Sequence, residues 1–491
     1  MSLPKQDDAL LDWLQNQYET AETYVNGEIQ PGRDAALREY YRKPYADDDE
    51  LKGRSRIIMS DVMESVEWTT AQIVEMFAAS SKIVRFDPRN AQSVESAKQK
   101  TDAVNYVFMT MNDGLMLLTE GIRTILMQGE CAASWGIDEN VKKVVEQYES
   151  VTADNIAAME QDGEVKILDR YVAYDDLGVP FELFNVEYER EVSKPQIEIE
   201  THDPSLLLVS EGWKSPVLTK CPYVCLNRWQ SLSELKEMGF DVDPDDIDDE
   251  SPMMMTGQER PDAEYKNIEG IDPASRSTWV RYEWVLFDKD GDGIAERLHV
   301  IRIKDTAYYC EPTDTVDVCQ GVAVRVPGTP YGQSEKDLQG PQQELHTSIM
   351  RIILDSAAFQ VEPRLKILCD REGNPLADVN SVIDHRSSNP IYEYERDAVT
   401  LMQQAWIGGE LLPLLDYVRS SGEAASGSNQ TFQGKDKDAL NKTATGAVLE
   451  DDSRQVRKNL KAREIAETFV KPIMEGISNL LESGAMGVLP M

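Results

Sequence analysis

The stretch YGQSEKDLQGPQQELHTSIMRIILDSAAF (Tyr331–Phe359) contains the pattern that decides the fold. From Ser334 onward, apolar side chains return at three- and four-residue spacings, which is typical of a helix with one apolar stripe. Pro341 either begins the main part of this helix or kinks it. The eighteen residues that follow it would span about 27 Å, so the sequence predicts a long helical element. The stripe consists of Leu338, Leu345, Ile349, Ile352 and Ile353.

A compact segment and two further helices follow this stretch. Val361–Thr400 contains short strand-like runs separated by turn signals. A shorter helix is predicted at about Gly409–Arg419. The next segment, SSGEAASGSNQTFQGK (Ser420–Lys435), has the Ser/Gly-rich composition of a mobile loop. A long helical pattern then covers about Thr443–Ser483, and Pro472 should kink it.

The chain before Tyr331 divides into a helical part and a part rich in strands. Helical patterns cover Asp7–Tyr41, about Ser60–Ala79 and about Val94–Met127. The first contains a turn signal at Gln30-Pro31-Gly32, and the third is interrupted near Asn112-Asp113-Gly114. Short apolar runs alternate with charges in Gly163–Ile199, Ser277–Phe287 and Ala295–Ile303, which indicates antiparallel strands. We therefore predict an α+β fold.

The composition excludes several classes of protein. The chain has 491 residues, with 88 acidic and 50 basic side chains, so its formal net charge is −38. This length corresponds to roughly three domains. A protein that grips nucleic acid usually carries a basic domain, so any contact with DNA should be local, transient or weak. The sequence shows neither a secretory signal nor an apolar stretch long enough to span a membrane, which favours a soluble protein made in the cytoplasm.

The patterns of cysteine, histidine and glycine argue against an enzyme. None of the six cysteines forms a C-x-x-C pair, and the four histidines are scattered without a zinc-binding spacing. His346 lies within the helical pattern of Tyr331–Phe359, where a packing or surface role is more common than metal ligation. The chain also lacks the G-x-S-x-G nucleophile motif and the phosphate-binding P-loop motif. A hydrolase or an ATP-driven motor is therefore a poor interpretation.

An acidic loop joins two of the predicted strands. Ca²⁺ prefers about six to eight oxygen ligands, which alternate carboxylates and the Ile294 carbonyl could supply. An EF-hand is excluded, because its twelfth position would be His299 and the flanking segments are strands. A structural Ca²⁺ site and a bare hairpin turn, in which Asp and Gly supply positive φ angles, are both possible interpretations. The candidate ligands are Asp288, Asp290, Asp292 and Glu296.

Four stretches, taken in order, connect these observations. They are GRSRIIMSDVMESVEWTTAQIVEMF (Gly53–Phe77), FDKDGDGIAE (Phe287–Glu296), YGQSEKDLQGPQQELHTSIMRIILDS (Tyr331–Ser356) and LNKTATGAVLEDDSRQVRKNLKAREIAETFVKPI (Leu440–Ile473). After Tyr331 the chain has a helix, a compact segment, a second helix, a loop and a third helix. In this order, the four stretches resemble the portal (head-to-tail connector) protein of tailed bacteriophages, of the podovirus type. The resemblance covers most of the chain.

The resemblance implies an elongated, ring-forming portal fold. Such a fold has a mixed helical/β wing, a helical stem, a small α/β clip and a C-terminal crown helix. Mapped onto this sequence, the wing would be residues 1–330, the first stem helix 331–360, the clip 361–404, the second stem helix 405–420, the tunnel loop 421–442 and the C-terminal wing/crown helix 443–491.

The same resemblance implies a function and a set of partners. A homo-oligomeric ring of about twelve subunits would occupy one capsid vertex and enclose a channel for packaging and ejecting double-stranded DNA. It would dock the terminase large subunit, a head-completion or tail adaptor protein, and capsid and scaffolding proteins. No membrane partner and no catalytic activity are expected. The protein would belong to the virion, and to the host cytoplasm during assembly.

The predicted tunnel loop contains the best candidates for contact with DNA. Lys435, Lys437 and Lys442 border it, and they could bind passing phosphates transiently. Their alternative role is ordinary loop solubility. An otherwise acidic channel wall would leave the DNA hydrated and able to slide, because each phosphate contact slows its passage.

Two other interpretations compete with a portal. The first is another virion structural or adaptor protein, although adaptors are usually much shorter. The second is a calcium-dependent hydrolase built on the Asp288 loop, which would lack both a nucleophile motif and a histidine base. Apart from the structural Ca²⁺ ion, no cofactor is expected.

Overall fold

The computed structural model describes residues 8–45, 48, 54–79, 82–88, 94–138, 141–152, 155–156, 159, 164–174, 180–193, 195–242, 272–289, 291–361, 365–379, 394, 396–401, 406–426 and 456–483. Within these ranges the chain is a mixture of helix and sheet, in agreement with the predicted α+β class. Most helices lie near the two ends of the chain, and most strands lie between them. No helix in these ranges combines the length and apolarity needed to cross a membrane.

The N-terminal part of the chain forms a helical layer. Its helices are α1 (Asp8–Tyr24), α2 (Gln30–Tyr41), α3 (Asp61–Ala78), α4 (Val94–Tyr106) and α5 (Gly114–Gln128), with π-helical turns at Val25–Ile29 and Val107–Met111. The turn predicted at Gln30-Pro31-Gly32 is wrong, because the first π turn joins α1 directly to α2. Pro31 lies in the first turn of α2, directly after the π turn, where its fixed φ suits a helix.

The interruption predicted near Asn112-Asp113-Gly114 is confirmed. Asp113 has a positive φ of 48°, and α5 begins at the next residue. Gly114 is required there, because a Cβ atom would lie 2.5 Å from the ring of Phe108. The Asn112 side chain donates to the carbonyl of Ile197 at 2.8 Å, and so ties this corner to a neighbouring strand.

The described strands form four sheets in which all neighbours are antiparallel. This confirms the strands predicted in Gly163–Ile199, Ser277–Phe287 and Ala295–Ile303. The sheet orders are β11-β1-β5, β10-β9-β8-β7-β6, β2-β4-β3 and β12-β13. The strands are β1 (Glu130–Asp138), β2 (Val141–Val151), β3 (Glu164–Tyr174), β4 (Pro180–Ser193), β5 (Gln196–His202), β6 (Leu207–Val209), β7 (Tyr223–Ser231), β8 (Ser277–Phe287), β9 (Glu296–Ile303), β10 (Thr306–Pro312), β11 (Val318–Val322), β12 (Leu365–Ile367) and β13 (Val399–Leu401).

The five-stranded sheet is buried on one face by α1. The apolar side of that helix packs against the sheet through Leu10, Leu14, Tyr18 and Ala21. A buried ion pair lies in the same layer, where Arg302 Nε is 2.8 Å from Glu283 Oε2. Tyr223 also donates to Glu283, at 2.8 Å, and Arg302 donates to the Gln15 side chain of α1 at 2.9 Å. A network of buried polar groups therefore fixes α1 to the sheet.

The remaining helices are α6 (Leu232–Glu237), α7 (Glu335–Val361), α8 (Gly408–Ser426), α9 (456–465) and α10 (Lys471–Glu482). The helix predicted over Ser334–Phe359 is confirmed as α7, and Pro341 lies inside it. The helix predicted at about Gly409–Arg419 is longer than expected, because α8 continues through Ser426. The mobile loop predicted from Ser420 is therefore wrong for its first residues, which are helical as far as Ser426. Gly422 lies beside Gln342 of α7.

A π-helical turn, Ala466–Val470, lies between α9 and α10, and Pro472, where the sequence predicts a kink, follows it in the first turn of α10. Within it Thr468 accepts from the N–H of Val322 in β11 at 3.0 Å. The ring of Phe469 fills space that glycines leave on α5 and β11, since a Cβ at Gly121 would be 2.5 Å from it. The helical pattern of Thr443–Ser483 predicts an apolar stripe of Leu449, Val456, Leu460, Phe469, Ile473, Ile477 and Leu480. Phe469, Ile473 and Ile477 are buried, Leu480 is partly buried, Val456 and Leu460 are exposed, and Leu449 lies outside the described residues.

Candidate functional site

Helices α7 and α8 pack against each other and form a two-helix arm, which we define as Glu335–Val361 with Gly408–Ser426. Gln342, near the start of α7, meets Gly422, near the end of α8, so the two helices run in opposite directions. The buried seam between them contains Ile349, Leu415 and Val418, flanked by Met350, Ile353 and Leu411. This seam is small, because one pair of helices buries only one side of each.

Apolar side chains cover the outside of the arm. On α7, Leu345 and Ile352 are 48% and 47% exposed, and their seven-residue spacing places them on one face. On α8, Leu412 and Tyr417 are 54% and 72% exposed. The stripe predicted for α7 is thus divided between the seam and the outside. We call the exposed set the outer apolar face; it includes both flanks of the seam, because Leu354 is two residues from Ile352 and so lies on the other side of α7. Its members are Leu345, Ile352, Leu354, Leu412, Leu414 and Tyr417.

A different face of α7 carries five polar side chains at every fourth residue, which places them in one row. This row binds the backbone of residues 55–60, a segment outside any helix or strand that leads into α3, and of Asp61 and Val62 in the first turn of α3. Because that segment has no strand partner among the described residues, the row supplies the hydrogen bonds that a sheet would otherwise provide. The bonds are Gln339 Nε2 to the Asp61 carbonyl (3.1 Å), Val62 N to Gln343 (2.7 Å), Met59 N to Thr347 (3.1 Å), Arg351 Nε to the Ile57 carbonyl (2.8 Å) and Ser55 N to Asp355 (2.7 Å).

Charged groups strengthen this attachment. The Arg351 guanidinium binds both carboxylate oxygens of buried Asp48, at 2.6 and 2.9 Å, and thereby lowers the pKa of Asp48. A carboxylate with a lowered pKa stabilises the fold above its ordinary range, and that stabilisation is lost as the pH falls through the lowered value. Burial raises the pKa of Glu39, which accepts a hydrogen bond from Gln343. His346 is buried, and its Nδ1 lies 2.7 Å from Asp61, so it has the packing role expected from the sequence.

The base of the arm is a joint between three helices. The Lys461 ammonium of α9 forms a buried ion pair with Glu335, in the first turn of α7. Lys461 also donates to the carbonyl of Ser426, the last residue of α8, at 3.1 Å. Arg457 donates to the Ala424 carbonyl one turn away. Two cations thus satisfy carbonyls at the end of α8, where the helix dipole is negative.

The acidic loop between β8 and β9 is closed by its own hydrogen bonds. Asp288 accepts from the N–H groups of Gly291 and Gly293, at 2.7 and 2.8 Å. Both glycines have positive φ angles, of 78° and 88°, which glycine adopts without strain. Asp292 accepts from the N–H of Ile294 at 2.7 Å. These are the hydrogen bonds of a turn that its own aspartates stabilise.

The loop's role in binding Ca²⁺ stays a prediction. Asp290, the central carboxylate of the proposed set, lies outside the described residues. Glu296 is exposed and begins β9 opposite Phe287. Within the part of the chain that the structure describes, no group of three or more His, Cys, Asp or Glu side chains is placed to hold a metal ion.

We expect Asp288→Ala to lower the free energy of unfolding by about 1 kcal/mol, because two loop amides lose their acceptor. Asp290→Asn removes a charge and should abolish any stabilisation by Ca²⁺. Thermal unfolding of the wild type and both variants, with and without Ca²⁺, measures the two effects. A wild-type melting temperature that does not respond to Ca²⁺ would contradict the metal site and leave a bare turn.

The residues predicted to contact DNA are not the residues that organise the arm. Lys435, Lys437 and Lys442 are outside the described residues. The polar row of α7 and the pair Lys461 and Arg457 were not predicted as site residues. The row is visible in the sequence as polar side chains at four-residue spacing. Its partners, however, lie up to 300 residues earlier in the chain, and no local signal identifies them.

A comparison with known protein families matches residues 10–486 to the family described as Phage SU10 portal protein. The match begins in the first turn of α1 and ends after α10, so it includes the arm, the joint at its base and the acidic loop. It confirms the resemblance that four separate sequence stretches indicated.

Proposed function

Because the chain belongs to the phage SU10 portal protein family, we propose that its copies assemble into a ring that encloses a channel for double-stranded DNA. Family membership makes this a phage portal protein, a structural component of the virion at the capsid vertex, and favours that role over an enzyme. The match spans nearly the whole chain, which also favours a portal over a shorter adaptor. In this proposal about twelve subunits form the ring, and the genome passes through it during packaging and ejection.

The outer apolar face of the arm is the observation that carries the ring proposal. Monomeric proteins seldom expose clustered apolar side chains unless the patch binds a partner. In a ring each arm has a neighbour on both sides, so the exposed side chains of α7 can meet those of α8 in the next copy. Burying one Leu or Ile side chain contributes about 1.5–3 kcal/mol, so several such residues can hold neighbouring arms together.

The charge of the chain supports passage of DNA rather than capture. A net charge of −38 repels phosphates on average, so an acidic channel would leave the duplex hydrated and mobile. The same charge opposes ring assembly, because neighbouring acidic chains repel each other. Assembly in this proposal therefore depends on ionic strength, which screens that repulsion.

The three lysines of the predicted tunnel loop are the proposed exception to this repulsion, because they could attract DNA phosphates. Exchanging Lys435, Lys437 and Lys442 together for serine should reduce DNA packaging and retention in assembled particles, because transient phosphate contacts are removed. Packaged DNA per particle, measured by quantitative amplification after nuclease treatment, gives the readout. Exchange of three exposed lysines elsewhere, Lys98, Lys214 and Lys220, is the charge-matched control. Equal losses in both triple variants, or no loss in either, would contradict a specific role for the loop.

The remaining parts of the proposal concern domains and partners. Residues 1–330 would form the wing, α7 and α8 the stem, 361–404 the clip and 443–491 the C-terminal wing and crown. The ring would be the docking site for the terminase large subunit, for a head-completion or tail adaptor protein, and for capsid and scaffolding proteins. Assembly would take place in the host cytoplasm before the ring enters the virion.

Negative-stain electron microscopy of the purified full chain tests the ring directly. We expect ring-shaped particles with a central hole wide enough for a DNA duplex. Images should be recorded over a range of salt concentrations, because assembly is expected to depend on charge screening. A chain that remains monomeric at every concentration and ionic strength would overturn the proposal.

A further inference from the structure

The three-stranded sheet β2-β4-β3 has two open edges. β4 lies at its centre, whereas the outer edges of β2 and β3 pair with no strand in the described part of the chain. β2 and β3 are both eleven residues long and both antiparallel to β4, so they point in the same direction. An open edge presents a row of backbone N–H and C=O groups that another strand can pair with.

The side chains along these edges are apolar to an unusual degree. In β3 every residue from 166 to 172 is exposed, and four of them are Ile167, Leu168, Tyr171 and Val172. β2 exposes Val145 and Tyr148. The sheet's own core is small and consists of Val151, Ile156, Phe184 and Val186. Edge strands of soluble proteins are normally short, charged or covered, whereas β3 is eleven residues long and has four charged residues, Glu164, Lys166, Asp169 and Arg170, and a bulge near Leu168 as protection.

The register of the sheet places these side chains on matching faces. Ile167 of β3 and Tyr148 of β2 both lie opposite Val186, so they share one face. Tyr171 and Val145 lie opposite odd-numbered residues of β4 and share the other face. On the first face Arg170 lies opposite Phe184 and Glu146 opposite Tyr188, and Lys142 shares that face, opposite Val192. Each strand contains two acidic and two basic residues, so the two edges match through their apolar side chains and neither carries a net charge that would repel the other.

We propose that the edge of β3 in one copy pairs with the edge of β2 in a neighbouring copy, so that the sheet continues from protomer to protomer. This inference rests on the proposed ring. A closed ring uses heterologous contacts, in which two different surfaces of the same chain meet. The edges of β2 and β3 are two such surfaces on opposite sides of one sheet. Because both strands point the same way, and rotation around the ring turns neighbouring copies only slightly, the pairing is parallel.

Disulfide cross-linking between engineered cysteines tests this pairing. Gln147 and Lys166 both lie opposite Glu187, so two strand spacings, about 10 Å, separate them within one chain. That distance is too long for a disulfide within the chain, so any bond between them must join two copies. Lys166→Cys is combined in turn with Lys143→Cys, Val145→Cys and Gln147→Cys, which sample alternative registers on one face of β2. The exposed Cys369 is first replaced by serine.

Mild oxidation of assembled rings should give a ladder of covalent oligomers on a non-reducing gel for at least one of the three pairs. Each single-cysteine variant, and a control pair of Lys166→Cys with Val217→Cys, should stay monomeric on the same gel. Rings that are seen by electron microscopy but give only monomer bands for all three pairs would overturn the edge pairing and leave the proposed ring intact. A wild-type chain that forms no rings would overturn the proposed function itself.

Discussion

Replacing Ile352 by aspartate should abolish ring assembly while the protomer remains folded. Ile352 is 47% exposed, so a carboxylate there stays hydrated in the protomer and changes its stability by about 0.5 kcal/mol or less. In the ring the same carboxylate would be desolvated against a neighbouring arm without a partner. A cost of about 3 kcal/mol at each interface corresponds to a more than 100-fold weaker contact. Since every copy repeats the interface, the closed ring should be lost completely.

Size-exclusion chromatography and negative-stain microscopy of Ile352→Asp measure this loss, and circular dichroism checks the fold. Val217→Asp is the matched control, because Val217 is 51% exposed but lies in the loop before β7, away from the arm. Ile352→Val, which keeps the side chain apolar, should form rings like the wild type. If Ile352→Asp formed rings as stable as those of the wild type, the proposal that the arm lies in the interface between copies would be contradicted.

Replacing Arg302 by methionine should lower the free energy of unfolding by about 3–5 kcal/mol. The side chains of Arg302 and Glu283 are 1% and 0% exposed, so the substitution leaves a carboxylate buried without its cation. Tyr223 remains as a single donor to that carboxylate. The hydrogen bond from Arg302 to Gln15 is also lost, which loosens α1 from the sheet. Urea-induced unfolding, followed by tryptophan fluorescence under conditions that keep the chain monomeric, gives the value.

Two comparisons separate the lost charge pair from the lost side-chain volume. In the double variant Arg302→Met with Glu283→Leu both charges are replaced by apolar groups, and the loss should be smaller than for Arg302→Met alone. Arg170→Met breaks a pair with Glu182 that is largely exposed, so it should cost less than about 1 kcal/mol. Equal losses for Arg302→Met and Arg170→Met would contradict a buried ion pair in the sheet.

The sequence predicts the helices and strands well where the apolar residues keep one regular spacing over the whole element. This spacing predicts α3 and α7, and the alternation of apolar and charged residues predicts β8 and β9, because both patterns follow from which side of the element is buried. The errors fall on segments where Gly, Pro and Ser indicate a turn. At Gln30-Pro31-Gly32 a π turn keeps the helix continuous, and α8 remains helical through Ser426. Composition alone does not distinguish these helical segments from turns, because Gly, Pro and Ser also occur at helix starts and ends.

The candidate site is only partly predictable for a related reason. The apolar stripe of α7 is visible in the sequence, but its division between the seam and the outer apolar face depends on where α8 lies. Leu345 and Ile349 look alike in the sequence, yet only Ile349 is buried. Gln343 and Arg351 look like ordinary surface residues until residues 55–62 are placed beside them. The acidic loop is predicted correctly as a connection between strands, whereas its occupancy by Ca²⁺ stays a prediction.

The joint at the base of the arm has a mechanical consequence. Because Lys461 holds both the first turn of α7 and the last carbonyl of α8, the two helices are clamped to α9 at one point. Beyond α9 the chain continues through the π turn into α10, which packs on the central core beneath β1 and β11. Together with Arg457 on the same helix and the polar row that holds α7 to residues 55–62, this clamp gives the arm a firm base, so that a load along the arm is shared among several contacts.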